Sequence, residues 1–92
     1  MEFKTQFGMV DVDIQHHYSN QRKAILLMQE GGAVAVLSVN LHDQILLEGE
    51  FFIKTWSENY QIAQDALASG LFIDTGKRVK AGYCEASVWR FK

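Results

Sequence analysis

Residues Glu30-Gly31-Gly32 separate two apolar runs, Ala24–Gln29 and Ala33–Leu41. The favoured two-residue hairpin turns need positive φ, which glycine adopts without strain, so this pattern predicts an antiparallel hairpin. With Gly31 and Gly32 as the turn, Met28 faces Ala35, Leu26 faces Leu37 and Ala24 faces Val39. One face is then wholly apolar, and the other carries Ile25, Leu27, Val34 and Val36 near the turn. A hairpin apolar on both sides needs cover, either from a central place in its sheet or from a helix or partner chain. A homodimer would supply that cover too.

The rest of the chain is read around this hairpin. In Phe3–Ile14 the apolar positions alternate, but their parity changes just after Gly8. A bulge near Gly8 reconciles the halves, and two strands joined by a tight turn do so equally. His16–Lys23 and His42–Gln44 are polar and read as loops. Ile45–Leu47 and Phe51–Ile53 read as a short strand pair, or as one strand interrupted around Gly49. One helix is expected over about Glu58–Ser69, with Ile62, Ala63, Ala66 and Leu67 on one face. Ser57 suits the N-cap, Thr55 and Glu58 also fit the capping-box spacing, and Gly70 suits the left-handed residue after the helix. Leu71–Ile73, a turn at Asp74-Thr75-Gly76-Lys77, and a strand from Val79 to about Phe91 complete the chain. The expected architecture is α+β: a small antiparallel sheet of about five to six strands packed with a single helix, in one domain over residues 1–92.

Composition narrows the function. Ninety-two residues with 48% hydrophobic and 22% charged suit one globular domain with a thin core. A net charge of −2 is too mild for a polyanion mimic and wrong in sign for a strongly basic nucleic-acid binder. The longest purely apolar runs, Ala24–Met28 and Ala33–Leu37, are far shorter than the roughly twenty residues of a membrane span. A single cysteine, Cys84, cannot form an internal disulfide, and the N-terminus lacks secretory character, so a cytoplasmic setting in a bacterium or phage-infected host is expected.

No motif assembles a reactive centre, and none asks for a cofactor or metal. His16 and His17 are adjacent and would diverge from a strand, His42 lies far along the chain, and Asp11 with Asp13 could add only oxygen ligands. Gly70 and Gly76-Lys77 imitate a phosphate loop, but five residues separate the glycines, Arg78 replaces the Ser or Thr, and a strand pattern follows. Cys84 lacks a neighbouring base on its own strand face, so burial as a small apolar residue is expected. Glu48 and Glu50 read as charges flanking a turn.

Two basic clusters remain, Arg22-Lys23 and Lys77-Arg78-Val79-Lys80. The second stands near aromatics, a combination that can hold single strands or an acidic partner; Arg22, Lys77, Arg78 and Lys80 are the candidates for that contact. Trp56, Tyr83, Trp89 and Phe91 are candidate protein-interface residues, since large aromatics dominate binding hot spots. The alternative packs them beneath the helix.

The stretches Leu37-Ser38-Val39-Asn40-Leu41, Phe52-Ile53-Lys54, Ser57-Glu58-Asn59, Asp74-Thr75-Gly76-Lys77 and Gly82-Tyr83 resemble an uncharacterised family of short bacterial, phage and conjugative-element proteins. The resemblance spans Leu37 to Phe91 and implies a mobile-element setting, with no activity or site attached. Proteins of that origin often bind and block a host machine, including defence systems such as CRISPR effectors. The expected function is therefore a non-catalytic protein-interaction module, an inhibitor that obstructs a host nuclease or defence complex. The alternative is a small nucleic-acid-binding accessory protein using the Lys77–Lys80 turn.

Overall fold

A computed structural model describes all 92 residues. Seven strands and one helix run in the order β1 (Glu2–Thr5), β2 (Gly8–His16), β3 (Lys23–Gln29), β4 (Gly32–Val36), β5 (Glu50–Ile53), α1 (Asn59–Ala68), β6 (Phe72–Ala81) and β7 (Cys84–Phe91). The fold is α+β with antiparallel pairing throughout. The strands divide into a four-stranded sheet ordered β1-β2-β3-β4 and a three-stranded sheet ordered β5-β7-β6. No helix is long and apolar enough to cross a membrane.

At the N-terminus the two-strand account holds. Gly8 takes φ +94 at the start of β2, and Thr5 stands opposite it. Thr5 Oγ1 accepts from Phe7 N–H at 3.0 Å and donates to Gly8 C=O at 3.1 Å, closing the turn. The resulting parity change sends Phe3, Val10 and Val12 inward together.

The central hairpin forms one residue earlier than expected. Glu30 and Gly31 make the turn, with φ of 52 and 82, and Gln29 stands opposite Gly32. Val34 is then an extra residue, because Ala33 faces Met28 while Ala35 faces Leu27. That bulge shifts the pairing by one residue and changes its parity, so Leu26 meets Val36 instead of Leu37. Of the two strands only β3 is central; β4 is an edge.

Past β4 the chain changes partners. Leu37 N–H still donates to Ile25 C=O at 2.8 Å, whereas Leu37 C=O accepts from Lys54 N–H at 2.9 Å and Val39 N–H donates to Phe52 C=O at 3.1 Å. Ser38 sits at the corner, and its buried hydroxyl accepts from Ile25 N–H at 2.8 Å. A serine in an otherwise apolar run thus satisfies a strand amide that has lost its ladder partner. Residues 45–47 form no strand; of that region only Glu50–Ile53 pairs, against β7.

The helix begins one residue later than expected and without a side-chain cap. Ser57 adopts φ +55, so its hydroxyl is not placed to cap, and Glu58 occupies the N-cap position. Ile62, Ala63 and Ala66 are buried, and Gly70 ends the helix at φ +80.

The Asp74–Lys77 segment is a bulge inside β6, where a turn was expected. Asp74 faces Trp89 and Arg78 faces Ser87, which leaves Thr75, Gly76 and Lys77 opposite Val88 alone. Side chains replace the missing ladder bonds: Thr75 Oγ1 donates to Val88 C=O at 2.7 Å, and Asp74 Oδ1 accepts from Gly76 N–H at 2.9 Å. The chain reverses instead at Gly82 and Tyr83.

The main core fills the space between the first sheet, the helix and the inner face of the second sheet. It joins Phe3, Val10, Ile25, Leu27 and Leu37 to Phe51, Ile62, Phe72 and Trp89. A smaller core lies on the other face of the second sheet, where Val39, Leu41, Leu46 and Trp56 cover Phe52, Ala86 and Val88. Strand β7 is therefore buried on both faces.

Candidate protein-interaction surface

The residues expected to form an interface separate. Trp89 is 1% exposed and packs 5.5 Å from the Phe72 ring, so it belongs to the core. The central strand of a two-sided sheet has no outward face to present it. Phe91 is half-buried, 5.1 Å from Phe51 and 5.2 Å from Phe72. Trp56 is half-buried over the second core with Lys54 Nζ 6.0 Å above its ring. Tyr83 alone is fully exposed, at the tip of the β6–β7 turn.

Most of the expected basic contacts are engaged inside the molecule. Lys77 Nζ lies 2.7 Å from the buried carboxylate of Glu50, and Arg78 reaches Asp74 with two bonds of 2.9 Å. The Lys77 hydrogen bond holds the Glu50 carboxyl below its ordinary range despite burial, helped by the Leu47 N–H. Burial pushes the Asp74 carboxyl up, but bonds from Arg78 and Gly76 N–H outweigh it and the net direction is down. Arg22 donates to the carbonyls of Leu41 and Gln44 and lies 5.6 Å from the Phe52 ring, pinning the loop that covers the second core. Lys80 alone of these four makes neither an ion pair nor a side-chain bond to the loops.

The other candidates also lie apart. Asp11 and Asp13 stand on the outer face of β2, His16 is exposed at its end, and His17 turns a buried Nε2 inward without a partner. His42 meets the amides of Asn20 and Asn40 in the loops below. No three His, Cys, Asp or Glu side chains converge as a metal site. Cys84 is a free, half-buried thiol where full burial was expected. Glu48 is exposed, whereas Glu50 is a buried anchor.

A different surface carries some of the exposed apolar side chains, while Tyr18, Ile45, Leu47 and Tyr60 are more exposed elsewhere. Val36 on β4 is 49% exposed, and Phe7 at the β1–β2 turn is 45% exposed. Between β4 and the start of α1 runs a groove of about 440 Å³, lined by Phe7, Val34, Val36, Val39 and Ile62, with Lys54 and Glu58 among its polar walls. That volume falls in the range of pre-formed binding clefts, about 300–1,000 Å³. No strand pairs with the outer side of β4. On the outer face of the same sheet, Met9 is 50% exposed, and the half-buried pair Leu26 and Met28 stands opposite Asp13 and Asp11.

The sequence carries a signal for this surface. Residues 31–41 contain no charge, an unusual run for a strand that proves to be an edge. Placing the turn at Gly31-Gly32 conceals it, because that register hides which apolar positions face out. Comparison with family models, curated proteins and solved structures finds no match.

Proposed function

We propose that this protein is a non-catalytic interaction module that works by occupying a partner protein's surface with the β4 side of its first sheet. The observation that carries this reading is the coincidence of an open strand edge with an apolar groove and the half-exposed Phe7 and Val36. Isolated exposed apolar residues are ordinary; that Phe7 and Val36 line one groove beside an unpaired strand supports this reading. Obstruction of a host complex is the form of action that the resemblance of Leu37–Phe91 suggests. Capture of partners from host extract on the immobilised chain, compared with the Phe7→Asp and Val36→Asp variants, tests the reading. Partners retained by the native chain and lost from both folded variants support it. Partners retained equally by all three contradict it.

A further inference from the structure

A cleft of about 210 Å³ lies between α1 and strands β6 and β7, and it shares no lining residue with the β4 groove. Tyr60 and Gln64 line it from the helix, Asp74 and Arg78 from either side of the β6 bulge, and Ser87 and Trp89 from β7. Trp89 is 1% exposed, and its Nε1–H is buried with no hydrogen-bond partner. Of the three cavities in the protein, Trp89 lines this one alone. The Phe72 ring packed 5.5 Å from it offers no acceptor. The other buried side-chain nitrogen without a partner, His17 Nε2, lines no cavity. Buried donors are nearly always bonded, because leaving one unpaired forfeits its hydration for nothing. An indole N–H can only donate, so an occupant of the cleft must bring the acceptor.

The wall also limits the charge and size of that occupant. Asp74 accepts from two Arg78 nitrogens at 2.9 Å each, so the two ionised residues of the cleft neutralise one another. No other lining residue is charged. A charged molecule entering here would lose hydration without finding a free counter-ion. The Tyr60 and Ser87 hydroxyls and the Gln64 amide can each donate or accept. The volume is below the roughly 300–1,000 Å³ of clefts that hold drug-sized ligands, which restricts the occupant to a molecule of a few heavy atoms. An amide meets all three conditions, since it is uncharged, compact, and carries an acceptor and a donor side by side.

We propose that this cleft is a binding site for a small neutral amide, whose carbonyl oxygen accepts from Trp89 Nε1–H and whose N–H donates to Gln64 or to a hydroxyl of the wall. The site stands apart from the β4 contact surface and does not rest on it. Its occupant ties α1 to β6 and β7 through the one indole donor that the fold leaves unpaired.

The test follows the indole N–H signals of the isotope-labelled full-length chain by NMR. The probes are N-methylacetamide, 2-pyrrolidone and uracil, with acetate and methylammonium as charged controls. The chain has two tryptophans, so the signal that survives in Trp56→Phe belongs to Trp89. At least one neutral amide should shift the Trp89 signal saturably while leaving that of Trp56 in place, and neither charged control should do so. Tyr60 and Gln64 are exposed on the helix, so Tyr60→Ala and Gln64→Ala should keep the fold. Gln64→Ala should weaken the amide about threefold to tenfold, the scale of one lost hydrogen bond. A Trp89 signal that none of the three amides shifts saturably overturns the proposal. So does a signal that acetate or methylammonium shifts as tightly as the amides, or an amide affinity unchanged in both variants.

Discussion

Glu50 and Lys77 form an ion pair at 2.7 Å across the central strand of the second sheet, one from β5 and the other from the bulge in β6. Glu50 is almost wholly buried, and its carboxylate also accepts from Leu47 N–H at 2.9 Å. The bulge therefore delivers a cation over β7 to a buried anion. Lys77→Ala leaves that carboxylate without its cation and should cost about 1–3 kcal/mol in denaturant unfolding at neutral pH. The folded-state carboxyl titrates below its ordinary value, so its contribution is present above the ordinary carboxylate range and disappears as pH falls through the lowered value. The native chain and Lys77→Ala should converge in stability on acidification. A gap that stays constant down to strongly acidic pH would contradict the assignment.

Trp89 and Tyr83 sit on the same strand–turn unit but behave oppositely. Trp89→Ala removes a fully buried ring and should cost about 3–5 kcal/mol, enough to unfold much of a domain this small. Tyr83→Ala should stay within about 0.5 kcal/mol of the native chain. Thermal unfolding of the two variants checks both values.

Ser57 offers a sharper contrast. As an N-cap its replacement by glycine would be slightly destabilising, but it adopts φ +55 and makes no cap bond. Ser57→Gly should instead stabilise the fold by about 0.5 kcal/mol, since glycine removes the left-handed strain and gives back part of it in chain entropy. A chemical-denaturation midpoint shifted downward would show that Ser57 caps the helix after all.

The fold class, the helix with its buried face, and the Gly70 stop are legible in the residue pattern, because each depends on neighbours within a few positions. The hairpin at Glu30-Gly31 is legible in place but not in register: Glu30 at φ 52 is a conformation its side chain disfavours, and the Val34 bulge leaves no mark in a uniformly apolar run. Asp74–Lys77 has turn residues, yet the bonds from Thr75 to Val88 and from Lys77 to Glu50 depend on strands far along the chain. The division into two sheets rests on the corner at Ser38, where one hydroxyl replaces one ladder bond. Period-two reasoning also cannot separate a strand buried on one face from β7, buried on both, and so Trp89 reads from sequence as a surface candidate.

Asn59 links the helix to the proposed contact edge. Its side chain is buried and donates to Val36 C=O, ending the open part of β4. Asn59→Ala should destabilise the chain by about 1 kcal/mol, because the bond from the buried amide to the half-exposed Val36 is lost. Unchanged stability would remove the role assigned to this contact.

Hydrogen exchange on the isolated chain and on the chain bound to a captured partner tests the account most directly. The β4 amides and those around Phe7 should become protected on binding, while the Gly82–Tyr83 turn exchanges as before. Protection confined to that turn, with β4 unaffected, would contradict the assignment of the interaction surface.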